Sequence, residues 1–175
     1  MSLFRFLGLG ESPETNRDTG DTESVRRIAA NLERLEPNRA KYLAAFAYVL
    51  ARAANADLEI DPTETAEMER SLAAISDLSE SEIALAVEIA KSQARLLGGT
   101  ENYVVTREFR KISTPEQRGQ LLQCLYAVAA ADGTISSIES SEIVGIAEEL
   151  GFTRAEANAL KSQYREKLSV LQTKR

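Results

Sequence analysis

The stretch AAADGTISSIE, residues 129–139, runs from an alanine-rich apolar segment into Asp132-Gly133, a short polar run and Glu139. Read as a cation-binding loop, it gives the chain chemistry. Read as a capped turn, it gives only architecture. Both readings place a helix on each side. Upstream, LLQCLYAVAA has the composition of a buried helix, and Gly133 is the residue type that ends a helix in the left-handed conformation. Downstream, Ser136 and Glu139 fit the S/T-x-x-E capping box, in which each residue satisfies the other's backbone N–H.

The start signal recurs through the chain. Ser79…Glu82 and Thr153…Glu156 have the same spacing, and Thr114-Pro115-Glu116-Gln117 adds a proline at the first helical position. Asp61-Pro62-Thr63-Glu64 combines a cap, a proline and an acid three residues on. TESVRRIAANLERL (22–35) spaces Val25, Ile28, Ala29, Leu32 and Leu35 by threes and fours, an amphipathic face. Pro37 opens a longer helix with Leu43, Phe46, Ala47, Leu50 and Ala54 inward. TENYVVTREFRKI (100–112) is the weakest helix, because its Tyr-Val-Val-Thr core leans to strand. The expected fold is all-α, a compact bundle of seven or eight helices.

The 175 residues suit one domain with a sizeable core, and 43% hydrophobic residues exclude general disorder. Residues 22–175 form the expected domain, and residues 1–21 an N-terminal flexible tail whose first ten residues, MSLFRFLGLG, are apolar but short. No signal peptide and no membrane span is expected from it. The chain has no histidine, which removes imidazole bases and the usual zinc ligand sets. Its one cysteine, Cys124, lies in an apolar run and reads as a small buried hydrophobe. A single cysteine makes no internal disulfide, so a cytoplasmic setting is expected.

Residues 46–72 lie over 121–147 at a constant shift of 75, an internal repeat. Phe46 meets Leu121, Leu50 meets Leu125, Asp57 meets Asp132, Ile60 meets Ile135, Glu64 meets Glu139 and Glu67 meets Glu142. Apolar matches follow from helical periodicity alone; the acidic ones are not forced by packing. Two pseudo-symmetric repeats, about 40–97 and 114–172, are therefore expected to bury their apolar faces against each other.

Charge follows the repeat. Residues 55–82 hold nine acids against one base, Arg70, and residues 132–149 hold five acids and no base. These segments sum to −13 in a chain of net charge −6, so the remainder carries +7. Solvated helix faces, with acids near helix starts, explain this without a ligand. A divalent cation explains it with one, since Ca²⁺ and Mg²⁺ take oxygen ligands only. An EF-hand is not the answer. Asp132, Gly133, Thr134, Ile135, Ser136 and Glu139 fit loop positions 5 to 9 and 12, but Val128 and Ala130 stand where carboxylates belong. Capping accounts for Glu139 and Glu64. It does not account for Asp132 and Asp57 at matching places, nor for Glu142 and Glu67 one turn further on. Both readings stand at this level.

YAVAAADGTISSIESSEIVGIAEELGFTRAE (126–156), with its degenerate copy YVLARAANADLEIDPTETAEMERSL (48–72), resembles the TerB-like family through the A-D-G-x-I-x-x-x-E element and the apolar helix after it. The resemblance covers roughly residues 40–172. It implies an all-helical two-repeat fold, a link to tellurite and other chemical stress, and an acidic cluster binding a divalent metal. By position the implied ligands are Asp132, Glu139 and Glu142 in the second copy and Asp57, Glu64 and Glu67 in the first. Leu58 stands where the family prefers glycine, and Asp61 offers a compensating carboxylate.

Two functions compete. One is a non-enzymatic metal-binding stress protein with a Ca²⁺ or Mg²⁺ ion. The other is an adaptor or co-chaperone-like module docking a protein partner through its acidic face or apolar N-terminal tail. No nucleophile, phosphate loop or cofactor motif supports an enzyme, and no aromatic-basic patch supports nucleic-acid binding.

Overall fold

The computed structural model describes residues 19–54, 62–94, 102–131 and 133–167. Eight α-helices lie among them: α1 (Thr19–Glu33), α2 (Pro37–Ala54), α3 (Pro62–Ile75), α4 (Glu80–Ala94), α5 (Asn102–Ile112), α6 (Pro115–Ala129), α7 (Ser137–Glu149) and α8 (Arg154–Ser162). A 3₁₀ turn, Arg165–Lys167, follows α8. No β-strand occurs among the described residues, so the all-α expectation holds.

The expected start signals are where the helices begin. Thr114, Ser136 and Thr153 each cap the next helix with both arms of the box in place, Gln117, Glu139 and Glu156 reaching back. Ser79 does the same: its N–H donates to Glu82 Oε2 at 2.8 Å and its Oγ accepts from the Glu82 N–H at 3.3 Å. Helix α2 is capped by Glu36, whose Oε2 accepts from the N–H groups of Asn38 and Arg39. One boundary shifts. Helix α1 starts at Thr19, so the last three residues assigned to a flexible tail are helical, and residues 1–18 lie outside the described residues.

Helix α2 is the centre. Every residue from Tyr42 to Ala51 is buried, and the helix packs against α1, α4, α5, α6 and α7. The inward stripe read from the sequence is real from Leu43 to Leu50, while the side chain of Ala54 lies outside the described residues; it is only part of the buried surface. A helix apolar all round has no face to give to water and takes the middle of the bundle. Small residues at Ala44, Ala45, Ala47 and Ala51 suit its close-packed neighbours.

The strand-leaning segment is helical. In α5, Val105, Thr106 and Phe109 are buried at helical spacing. Phe109 joins Tyr42 and Phe46 in an aromatic cluster, with ring centroids 5.4 and 6.2 Å away. Burial of that stripe outweighs the local β preference of Tyr-Val-Val-Thr, as tertiary context commonly does.

The segments read as repeats give the same element order, α2–α3–α4 and α6–α7–α8. Helices α3 and α6 pack together, as do α2 and α6, so the two segments share one core. The turn between α6 and α7 holds the opening stretch of sequence. Next to α7 comes the C-terminal end of α2, which carries Arg52.

Candidate functional site

Helix α6 ends at Ala129, and Ala130, its C-cap, donates to Tyr126 O. The Ala131 N–H reaches Val128 O at 3.1 Å and the Gly133 N–H reaches Ala130 O at 2.9 Å. Gly133 has φ 96°, the left-handed conformation expected of it, which an L residue with a Cβ rarely adopts, but it stands three residues past the C-cap Ala130 and so shapes the turn rather than ending α6. Ile135 anchors the turn in the core at 1% exposure. Ser136 then opens α7.

The candidate ligands divide into three groups. Asp57, Asp61 and Asp132 lie outside the described residues. Glu64 lies in the first turn of α3, with its side chain outside the description. Glu67, Glu139 and Glu142 are described, and each carboxylate has a partner in the protein. Glu139 Oε2 accepts from the Ser136 N–H at 2.8 Å, so the capping reading of Glu139 is correct. Glu67 pairs with Arg70 at 2.8 Å, within α3. Glu142 Oε1 accepts from Arg52 Nε at 2.5 Å. Among the described residues no three metal-ligating side chains converge.

Arg52 is the residue that sequence reasoning missed. Its side chain is 11% exposed. Its guanidinium grips Glu149 with two bonds, Nη1 to Oε2 at 2.6 Å and Nη2 to Oε1 at 3.0 Å. Nη1 also donates to Thr106 Oγ1 at 3.1 Å. One arginine thus ties α2 to α5 and twice to α7. Burial by itself would lower its pKa; hydrogen bonds to Glu149 and Glu142 outweigh that, and the pKa rises. A signal was present. Arg52 is the only charged residue in YLAAFAYVLARAA (42–54), and a base inside an apolar helix needs a buried acid.

Arg39 does the same at the other end of α2. Its Nε and Nη2 bond the two oxygens of Glu82 at 2.6 and 3.0 Å, and its guanidinium lies over the Tyr42 ring. Hydrogen bonding from Arg39, above all, holds the Glu82 carboxyl down at about 2. Four of the acids concentrated in two segments of the sequence, Glu82, Glu142, Glu148 and Glu149, are therefore met by bases from elsewhere in the chain.

Cys124 is fully buried, and burial pushes its thiol up to about 12, which keeps it protonated and unreactive at neutral pH.

An all-α bundle with a glycine-ended turn, a capped acidic helix and a buried arginine beneath it defines a helical module whose distinctive chemistry is carboxylate. The family model of tellurite resistance protein TerB matches residues 42–162. The chain belongs to that family. Comparison with curated proteins and with solved structures finds no match.

Proposed function

We propose that the chain is a non-enzymatic, cytoplasmic protein of the response to tellurite and other chemical stress, holding a divalent cation, Ca²⁺ or Mg²⁺, at the acidic turns. The observation that carries this reading is the state of Glu139 and Glu142. They stand three residues apart on α7, hence on neighbouring positions of its surface. Each has one oxygen engaged, by Ser136 N–H and by Arg52, and the other without a partner among the described residues. Two fixed carboxylates, each with an oxygen to offer, fit a hard cation, and the remaining ligands would come from Asp132, Asp57, Asp61, Glu64 and Glu67. The bound ion would neutralise clustered charge and join the segment before α3 to the turn before α7. The lack of histidine and the protonated state of Cys124 support a non-catalytic role.

Thermal melting tests this. A cation present at about 100 times its Kd should stabilise the fold by about 2.7 kcal/mol. For a chain of this size that is a rise of very roughly 5–10 °C in Tm. Glu139→Gln separates the two roles of that residue. A glutamine oxygen still accepts the Ser136 N–H, so Tm in chelator should stay near wild type, whereas the response to Ca²⁺ or Mg²⁺ should shrink. Wild-type melting that ignores both ions and Mn²⁺ defeats the cation reading.

A second reading, an adaptor docking a basic protein surface, draws on Ile138. It is 78% exposed in the first turn of α7, an apolar side chain beside the acids of the turn. A salt-sensitive, chelator-insensitive complex lost in Ile138→Ser would favour it.

A further inference from the structure

At the far end of α7 from the acidic turn, a cleft of about 760 Å³ opens between α5, the start of α6 and the end of α7. Its character is the reverse of the turn's. Four cations line it: Arg107, Arg110 and Lys111 from α5, and Arg118 from α6. Two acids, Glu148 and Glu149, line it as well, and each is held by a base that does not. Glu149 has both oxygens on Arg52, and Glu148 bonds Arg154 at 2.9 Å. Lys111 has its own acid, Glu108, at 2.5 Å.

Three guanidiniums are left without a carboxylate among the described residues. Arg118 has architectural work: it donates to Leu150 O and Ser113 O, carbonyls just past the ends of α7 and α5. Helix C-termini attract cations, and one arginine there is ordinary. Its Nε, however, is buried with no acceptor. Arg110 lies against Gly151, where a side chain would collide with its guanidinium. Arg107 is exposed and stacks on the half-exposed ring of Tyr103, 5.3 Å from its centroid. Helix ends account for Arg110 as well, since it lies in the last turn of α5 and against the C-terminal end of α7, but they do not require Arg107. Like charges gathered around one concavity repel unless an anion joins them.

We infer that this cleft binds a phosphoryl group of charge −2 or more, borne by a small molecule or a lipid headgroup. Guanidinium forks match phosphate oxygens two at a time, and the lining holds two that are not engaged by a carboxylate or carbonyl among the described residues, on Arg107 and Arg110. The volume falls in the range of small-molecule sites, but the mainly polar lining excludes an apolar ligand. The Tyr103 ring offers a flat face beside the anion for a planar substituent.

The test titrates the full chain at low ionic strength with inorganic pyrophosphate, following binding by calorimetry and by backbone amide shifts. In parallel, the chain is co-sedimented with phosphatidylcholine vesicles with and without phosphatidic acid. Amide shifts should concentrate in residues 103–118 and 148–151. Arg107→Gln with Arg110→Gln should weaken binding roughly tenfold or more, through loss of two charge-assisted contacts, while Arg70→Gln leaves it unchanged. Pyrophosphate binding assigns a soluble ligand; binding only to phosphatidic acid vesicles, abolished by the same pair, assigns a headgroup. Should the double variant unfold, Arg107→Glu alone, at an exposed position, serves as the reading. The inference is overturned if neither probe binds, if binding ignores these substitutions, or if a DNA duplex or a polyglutamate peptide is bound in clear preference to both probes.

Discussion

At the scale of single residues, Arg52 decides more than any carboxylate read from the sequence. Its charge is partly buried, the side chain being 11% exposed, so its partners matter more than those of a surface arginine. Removing one member of a buried, hydrogen-bonded ion pair leaves the other uncompensated, which costs about 3–5 kcal/mol. Arg52→Met should therefore lower the free energy of unfolding by that order, read from urea midpoints, because Glu149 is only 18% exposed and loses both its bonds. Glu142→Gln should cost less, about 0.5–1.5 kcal/mol, since Glu142 is 40% exposed and Arg52 keeps Glu149. Glu82 gives a pH signature. Its carboxyl sits near 4.5 when unconstrained and at about 2 in the fold, so the ionised form binds more tightly folded than unfolded. That stabilisation is complete above pH 4.5 and fades as pH falls toward 2. The gap in urea midpoint between wild type and Glu82→Gln should be widest at neutral pH and close across that window.

At the scale of elements, the helix ends carry the fold's punctuation, and the two glycines at positive φ are not equivalent. Gly151 closes α7 in a Schellman arrangement: the Phe152 N–H donates to Ala147 O and the Gly151 N–H to Glu148 O, each at 3.0 Å. It combines φ 94° with crowding, because an added Cβ would fall 2.8 Å from the Arg110 guanidinium. Gly133 has a similar φ and open space around it. Alanine at either position should cost about 1–2 kcal/mol of backbone strain. Gly151→Ala should cost more than Gly133→Ala, and Arg110→Ala in the same chain should remove the excess; equal losses would show that Arg110 swings aside freely. The boxes at Thr114, Ser136 and Thr153 should each lose about 1 kcal/mol on substitution by alanine, measured one at a time.

At the scale of the whole molecule, one apolar helix gathers five others around it. Phe46 and Leu50 are fully buried on α2, where the surrounding helices converge. Phe46→Ala should cost about 3–5 kcal/mol and Leu50→Ala about 2–5, through lost burial and residual cavity. Against a total stability of about 5–15 kcal/mol, the pair together should leave little or no cooperative unfolding transition in thermal melts. The molecule also sorts its charge. Arg39 and Arg52, more than three turns apart on α2, neutralise acids of α4 and α7, while the cleft at the end of α7 gathers bases. The net charge of −6 therefore hides an acidic turn and a basic cleft at opposite ends of one thirteen-residue helix.

The sequence by itself determined where most of the helices start, because a capping box and an N1 proline act over three or four residues and need no distant partner. Ser136 with Glu139 and Thr114 with Gln117 were legible for that reason, as was the family element that holds the first pair. Tertiary structure alone decided the rest. It made a helix of the β-leaning Tyr-Val-Val-Thr, buried α2 on every side, and set Glu142 beside Arg52, ninety residues earlier in the chain. Those outcomes depend on which surfaces meet across the core, and periodicity records only that a face is apolar, not what will cover it.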